Sequence, residues 1–478
     1  MRGILRVAVL AGGLVVGPAA WAQVPGQTPQ VPLPEPTLTP SLPPPTPAPE
    51  VEEIPDAVPA APQAAPDAGI PPQEDEPQTE PPLAAAPEPA VPADPVVTSL
   101  RATLADPAFR KDQSEADLGA LDAFYAAHGR PVWVTEMGLT AKGQAALFEI
   151  ERAGDWGLET SDFDLPQAGA LPENEAAQAL AELKLSLAIL EYARHARGGR
   201  FTPSKISSLF DQRPPLRDPN TVLAEIEAAD APDAYLRALH PKHEQFELLR
   251  QALLKAREEG KSDDVAAKRL IINMERWRWM PEDLGSLYVW NNSPEFMLYV
   301  VKDGKRIYAD KILVGTIGYA TPVFTADMKT IVFNPDWIAP ETVVKENIVP
   351  PLQRKSYSIL KSHRLFVSYQ GKPVDATKVD WNRVNPLAFT FSQKAGPHNN
   401  LGKVKFLYPN RHTVYMHDTL PVRKKYFKQN VRMIGHECVR MEQPLRFAEV
   451  LLAEANGTPA AKVKELWEKS DNGTVAVG

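Results

Sequence analysis

The chain has one cysteine, Cys438, and it stands among groups that move protons or carry charge: Tyr415-Met416-His417-Asp418-Thr419, then Ile434-Gly435-His436-Glu437-Cys438-Val439-Arg440. A thiol nucleophile needs a neutral imidazole to take its proton, positive charge to favour thiolate, and backbone N–H groups in a tight turn to receive an oxyanion. His417 is the candidate base, Arg440 and Arg432 are candidate sources of charge, and the Gly435-His436-Glu437-Cys438 turn is the candidate source of amides. Two other readings fit the same residues. Cys438 could be a small buried hydrophobe, or His412, His417, His436 and Cys438 could ligate zinc. If His412 and His417 share a strand, their odd separation puts them on opposite faces, which counts against a four-ligand site. Arg423, Lys424 and Lys425, between the two runs, are candidate contacts for substrate carboxylates or else a solvated basic loop.

Strands must position these groups. Ser286–Trp290, Phe296–Val301 and Arg306–Val314 are rich in Val, Ile, Tyr and Leu, with the turn signal Asp303-Gly304 between the last two. Shorter strands are predicted at Thr330–Phe333, Leu365–Tyr369, Phe389–Ser392, Val404–Leu407 and Thr413–His417. Between Trp337 and Gly396 the chain is polar and contains Pro, with a predicted helix around Gln353–Leu360, and is long enough to form a lid over a cleft. Helices at Pro444–Ala455 and Pro459–Lys469 close the chain.

Upstream, residues 98–264 are helical in pattern: Leu183, Leu187 and Leu190, then Phe246, Leu249 and Leu253, recur at three- and four-residue spacing. Glu191 and His195 lie one turn apart, a spacing that more often marks a surface contact than a site. The expected fold is α+β: a helical scaffold domain at 98–264 and a mostly β catalytic domain at 265–443 with its lid at about 337–396. Helices at 444–478 follow.

Residues 1–22 carry Arg2 and Arg6, an apolar run from Val7 to Val16, and Ala20-Trp21-Ala22, the pattern of a cleavable export signal. Residues 23–97 hold 12 acidic residues, no Lys or Arg, and long runs of Pro and Ala, which predicts a disordered acidic linker. With a single cysteine no intramolecular disulfide can form, so stability must come from packed cores. From Val265 to Glu442 there are 27 basic and 15 acidic residues. That surplus favours an anionic partner, and export makes a carboxylate-rich polymer a better match than nucleic acid. No other segment is long and apolar enough to span a bilayer.

The His417-Asp418-Thr419 run followed by Gly435-His436-Glu437-Cys438-Val439-Arg440-Met441 resembles the signature of the L,D-transpeptidases, a histidine followed by Ser/Thr-His-Gly-Cys-Val/Ile-Arg. INMERWRWMPEDLG, FMLYVVKDGK, VGTIGYATPVF and TIVFNPDW look like the large periplasmic members of that family, and FYAAHGRPVWV and ALHPKHEQFELLR extend the likeness into the helical part. The resemblance implies that Cys438 is acylated, His417 is its base, and Arg440 is a structural or charge-setting neighbour, with no metal or cofactor. It implies attack on a tetrapeptide stem of peptidoglycan, release of D-alanine, and a thioester resolved by an amine of a second stem to give a 3-3 cross-link. Water or an amine of an envelope protein would instead give hydrolysis or anchoring. Gly435 stands where the family has Ser or Thr, and Glu437 where it has glycine. The carboxylate opposes thiolate formation, so a peptidoglycan-binding pseudoenzyme is the non-catalytic alternative.

Overall fold

A computed structural model describes residues 6–10, 94–167, 169 and 171–477, the first of these segments by its backbone alone. Most of the expected leader and linker therefore lies outside the described residues. Arg6–Leu10 form a strand inserted parallel to Leu287–Asn292 and antiparallel to Phe324–Asp327.

Helix begins earlier than the expected boundary at 97/98. Asp94 caps a helix at Pro95–Ala105 by accepting from Val96 N, and Pro95 fills the first turn, where no N–H is needed. Val97, Leu100 and Leu104 then bury their side chains. The scaffold centres on Glu175–Gly198, a 24-residue helix capped by Asn174. Leu183, Ile189 and Tyr192 of that helix pack with Leu121, Tyr125 and Trp133. Buried Glu182 accepts from the backbone N–H of Val132 at 2.6 Å, Trp133 at 2.9 Å and Val134 at 2.7 Å, and from the Tyr125 hydroxyl at 2.8 Å. Glu182 on the central helix thus serves the N–H groups of this extended segment, whose other edge pairs with Gly138–Leu139. His195 lies 3.7 Å from Glu191, and burial pushes its imidazole down to about 4, so it is neutral.

The C-terminal part is a ten-stranded sheet that also includes strands at Gly473–Ala476, Thr330–Phe333, Val404–Leu407, Met416–His417, Val439–Met441, Lys305–Leu313 and Met297–Lys302, paired in that order. Gly473–Ala476, which pairs with Thr330–Phe333, was not foreseen: helices were expected over 444–478, and its alternating Val475 and Val477, which pack against the sheet core, make too short a run to mark a strand by themselves. The expected strand at Thr413–His417 shrinks to Met416–His417. The Asn410 side chain bonds Val414 through both its N–H and C=O, and Thr413 takes φ +54°, so the chain turns before it can pair.

Residues 337–396 form a small lobe with its own four-stranded sheet: Lys372–Pro373, Phe366–Tyr369, Phe389–Gln393 and Trp337–Ile338. Trp381, Phe391, Ile348 and Leu352 make its core. The helix expected at Gln353–Leu360 is instead split into Val349–Gln353 and Ser358–Ser362, preceded by a π-helical turn at Val344–Ile348. Pro350 and Pro351 start the first helix, and Lys355 at φ +58° breaks continuation into the second.

Scaffold and C-terminal part share a core, in which Phe246, Leu249 and Leu253 meet Met274 and Trp277 of the helix Val265–Arg278 and Trp290 of the sheet. Leu209 and Val323 are joined by a 2.8 Å backbone hydrogen bond, and Asp211 pairs with Arg411 at 2.9 Å. Removing the carboxylate in Glu182→Ala strands the N–H groups of Val132, Trp133 and Val134. Urea unfolding followed by the helical signal is expected to show a loss of at least about 3 kcal/mol; a loss below about 1 kcal/mol would show the clamp to be dispensable.

Candidate active site

Two short parallel strands build the site. Met416 pairs with Val439 and His417 with Arg440, and Val439 N donates to the Tyr415 carbonyl at 3.3 Å. Successive strand residues point to opposite faces. Met416 and Val439 are fully buried in the sheet core, so Tyr415, His417, Cys438 and Arg440 turn the other way, and all four line one cleft of about 380 Å³. Trp337, Asn347 and Ile348 of the lid lobe close its far wall.

Burial governs the electrostatics. It pushes the His417 imidazole well below its ordinary value, and neighbouring Arg440 adds to that, so the ring is neutral and able to accept a proton. The backbone of Asp418 and Leu401 favours the protonated ring but falls short of hydrogen-bond geometry, since Nδ1 has no partner among the described residues. The Asp418 carboxylate does not orient His417; it binds Lys403 N at 3.0 Å, Thr419 N at 2.7 Å and the Lys424 ammonium at 3.2 Å. Burial also raises the Cys438 thiol; the backbone of Tyr415 and the Arg440 guanidinium oppose this, while Glu437 reinforces it. The resting pair is therefore thiol and neutral imidazole. Arg440 is lowered by burial to about 10 and stays charged at neutral pH.

The turn before Cys438 is fixed from three sides. Ile434 N donates to Val314 O at 2.8 Å, Thr316 N to Gly435 O at 3.0 Å, and the Thr321 hydroxyl to Glu437 O at 2.7 Å. Gly435 has φ +100°, and a Cβ there would sit 2.7 Å from Arg440 Nη1, which donates to Ile434 O at 3.1 Å. With this φ and with Arg440 in the space a Cβ would take, the turn as folded here suits glycine. The His436 ring packs edge-on to Tyr319 at 4.2 Å, and the Tyr319 hydroxyl donates to Glu346 in the lid's π turn.

The candidate basic contacts separate. Arg423 lines the cleft with Cys438, whereas Lys424 donates to Glu442 O at 2.6 Å and lines a different cavity, and Lys425 lies 5.4 Å from the Tyr426 ring centre. Arg432 donates to the carbonyls of Ile312, Phe296 and Gln429, tying strands together away from the cleft. His412 pairs with Asp211 at 3.4 Å outside the cleft. Among the described residues no group of three or more His, Cys, Asp or Glu side chains is arranged to hold a metal. Sequence reasoning singled out the run holding Tyr415 but gave that residue no role, expected the lid without naming its contacts, and missed Thr321. Tyr415 was within reach, because it precedes His417 by two residues in an extended run; nothing local marks the others.

A helical part is thus followed by a sheet-rich part whose cleft holds both Cys438 and His417. Comparison with known proteins agrees: residues 286–477 match the L,D-transpeptidase catalytic domain, and residues 119–253 match a scaffold domain family. A Haemophilus influenzae protein named "Putative L,D-transpeptidase" is 31% identical over 196 residues, which span 41% of this chain and 39% of that protein. The likeness to the L,D-transpeptidases thus rests on residues 286–477.

With the thiol raised above its ordinary value of 9.0, thiolate is scarce at neutral pH and grows as pH rises. Alkylation of Cys438 by iodoacetamide, its rate followed against pH, is expected to have its midpoint above 9. A midpoint near 7 would reveal a preformed thiolate–imidazolium pair. Gly435→Ala, strained in φ and crowding Arg440, is expected to slow turnover at least about tenfold; unchanged turnover would show that the turn tolerates a Cβ.

Proposed function

We propose that the protein is a cysteine-dependent peptidoglycan L,D-transpeptidase that forms 3-3 cross-links outside the cytoplasm. The observation that carries this reading is the convergence of Cys438, His417, Arg440 and Tyr415 in one cleft under a lid. Neutral His417 takes the Cys438 proton as sulfur attacks the carbonyl between diaminopimelate and the terminal D-alanine of a tetrapeptide stem. Backbone N–H groups of the Gly435–Cys438 turn receive the oxyanion, Arg440 offsets its charge, and His417 returns the proton to the departing D-alanine amine. An amine of a second stem then attacks the thioester, passes its proton through His417, and restores the thiol. Arg423 is the cleft residue placed to meet a stem carboxylate. The leader-like residues 1–22 support a periplasmic location, and among the described residues no helix is long and apolar enough to cross a membrane.

One observation favours a second reading. Glu437 works against thiolate formation at Cys438, as in a protein that binds peptidoglycan without processing it. Purified tetrapeptide muropeptides separate the two. The wild type is expected to yield 3-3 dimers and free D-alanine, and Cys438→Ala neither, with a loss of at least about 10³-fold. D-alanine release without dimers would indicate a hydrolase, and no conversion by the wild type would indicate a binder.

A further inference from the structure

A second cavity, of about 550 Å³, lies behind the catalytic histidine. His417 lines the cleft and Asp418 lines this cavity, so one strand end serves both. Its opposite wall is the start of the helix Pro444–Asn456, where Gln443, at the cap position, offers no side-chain cap. The first-turn amides of Leu445 and Arg446 have no partner within a helix, and the helix dipole concentrates positive potential there. Independently, the Thr419 hydroxyl, on a residue only 2% exposed that lines the same cavity, has no hydrogen-bond partner among the described residues. Buried hydroxyls are rarely left so.

The charges around the cavity favour one negative charge. Lys403, Lys424 and Arg446 face Asp418 and Glu449, three cations against two carboxylates. Lys424 pairs with Asp418 and Arg446 with Glu449, at 3.2 and 3.0 Å. Lys403 has no carboxylate partner here: it donates to the Trp467 carbonyl and lies 5.6 Å from that indole's centre. The remaining lining, Leu420, Pro421, Leu445 and Trp467 among it, is apolar and suits a small aliphatic group beside the anion.

We propose that this cavity binds the terminal carboxylate and methyl group of a D-alanine-ended stem peptide, holding a peptidoglycan strand next to the reacting cleft. The carboxylate accepts from the Leu445 and Arg446 amides and the Thr419 hydroxyl, and its methyl lies against Trp467. The choice of stem peptide rests on the transpeptidase reading; the carboxylate chemistry does not.

The test uses the full chain with Cys438→Ala, so that no acyl transfer intervenes, and follows the indole N–H resonance of Trp467, assigned by Trp467→Phe. Titration with N-acetyl-D-alanine is expected to move that resonance saturably, and N-acetyl-D-alaninamide is expected to bind at least about tenfold more weakly because it lacks the charge. Thr419→Val and exposed Arg446→Ala are each expected to weaken binding at least threefold or so, while Arg423→Ala in the cleft leaves it unchanged. If Thr419→Val does not fold, Arg446→Ala carries the comparison. Equal binding of acid and amide, or a Trp467 resonance that stays still, would overturn the subsite. A disaccharide-linked tetrapeptide that binds no tighter than N-acetyl-D-alanine would overturn its assignment to stem peptides. Because Cys438→Ala cannot turn over, failure here leaves the catalytic reading standing.

Discussion

The site depends on one pairing, Met416 with Val439 and His417 with Arg440, in parallel register. Parallel neighbours point equivalent residues the same way, so a single register decides which side chains meet. Slipping the pairing by one residue would send His417 or Cys438 into the core and bring Met416 or Val439 to the cleft. The register is held because Met416 and Val439 are buried with Phe406, Phe447 and Leu451, none of which could reach solvent without unfolding the sheet.

The remaining contacts shape what that pairing brings together. The turn before Cys438 is clamped by Val314, Thr316 and Thr321, which belong to the chain around the end of the long strand Lys305–Leu313. Arg440 threads past Gly435, whose φ of +100° disfavours a side chain at that position. The lid reaches the same turn through Glu346, Tyr319 and His436. A π-helical turn at Val344–Ile348 presents Glu346, and such turns often occur where a helix serves a site rather than a core.

Much of this was legible in the sequence, for specific reasons. The runs around His417 and Cys438 hold most of the reactive groups, and strand alternation predicts which of them share a face. Strands such as Thr330–Phe333 and Val404–Leu407 stood out by their Val, Ile and Phe content, of which Ile331, Phe333, Val404 and Phe406 turn to the core. Gly473–Ala476 did not, since its alternating Val475 and Val477 make too short a run. Thr413 left its expected strand because Asn410 bonds Val414 locally. Lys424, grouped by sequence with Arg423, faces another cavity because a 3-10 helix over Pro421–Lys428 sends adjacent residues to different sides. The Thr321 contact with Glu437 spans more than a hundred residues and has no local signature.

Acyl transfer to Cys438 with His417 as base can be read directly by intact mass spectrometry during incubation with a carbapenem, an acyl donor whose lactam opens onto the sulfur without loss of atoms. The wild type is expected to gain one adduct, mapped to Cys438, and His417→Gln to gain it at least about 10²-fold more slowly. Equal rates in the two proteins, or no adduct on the wild type, would contradict the pairing of these two residues as a catalytic unit.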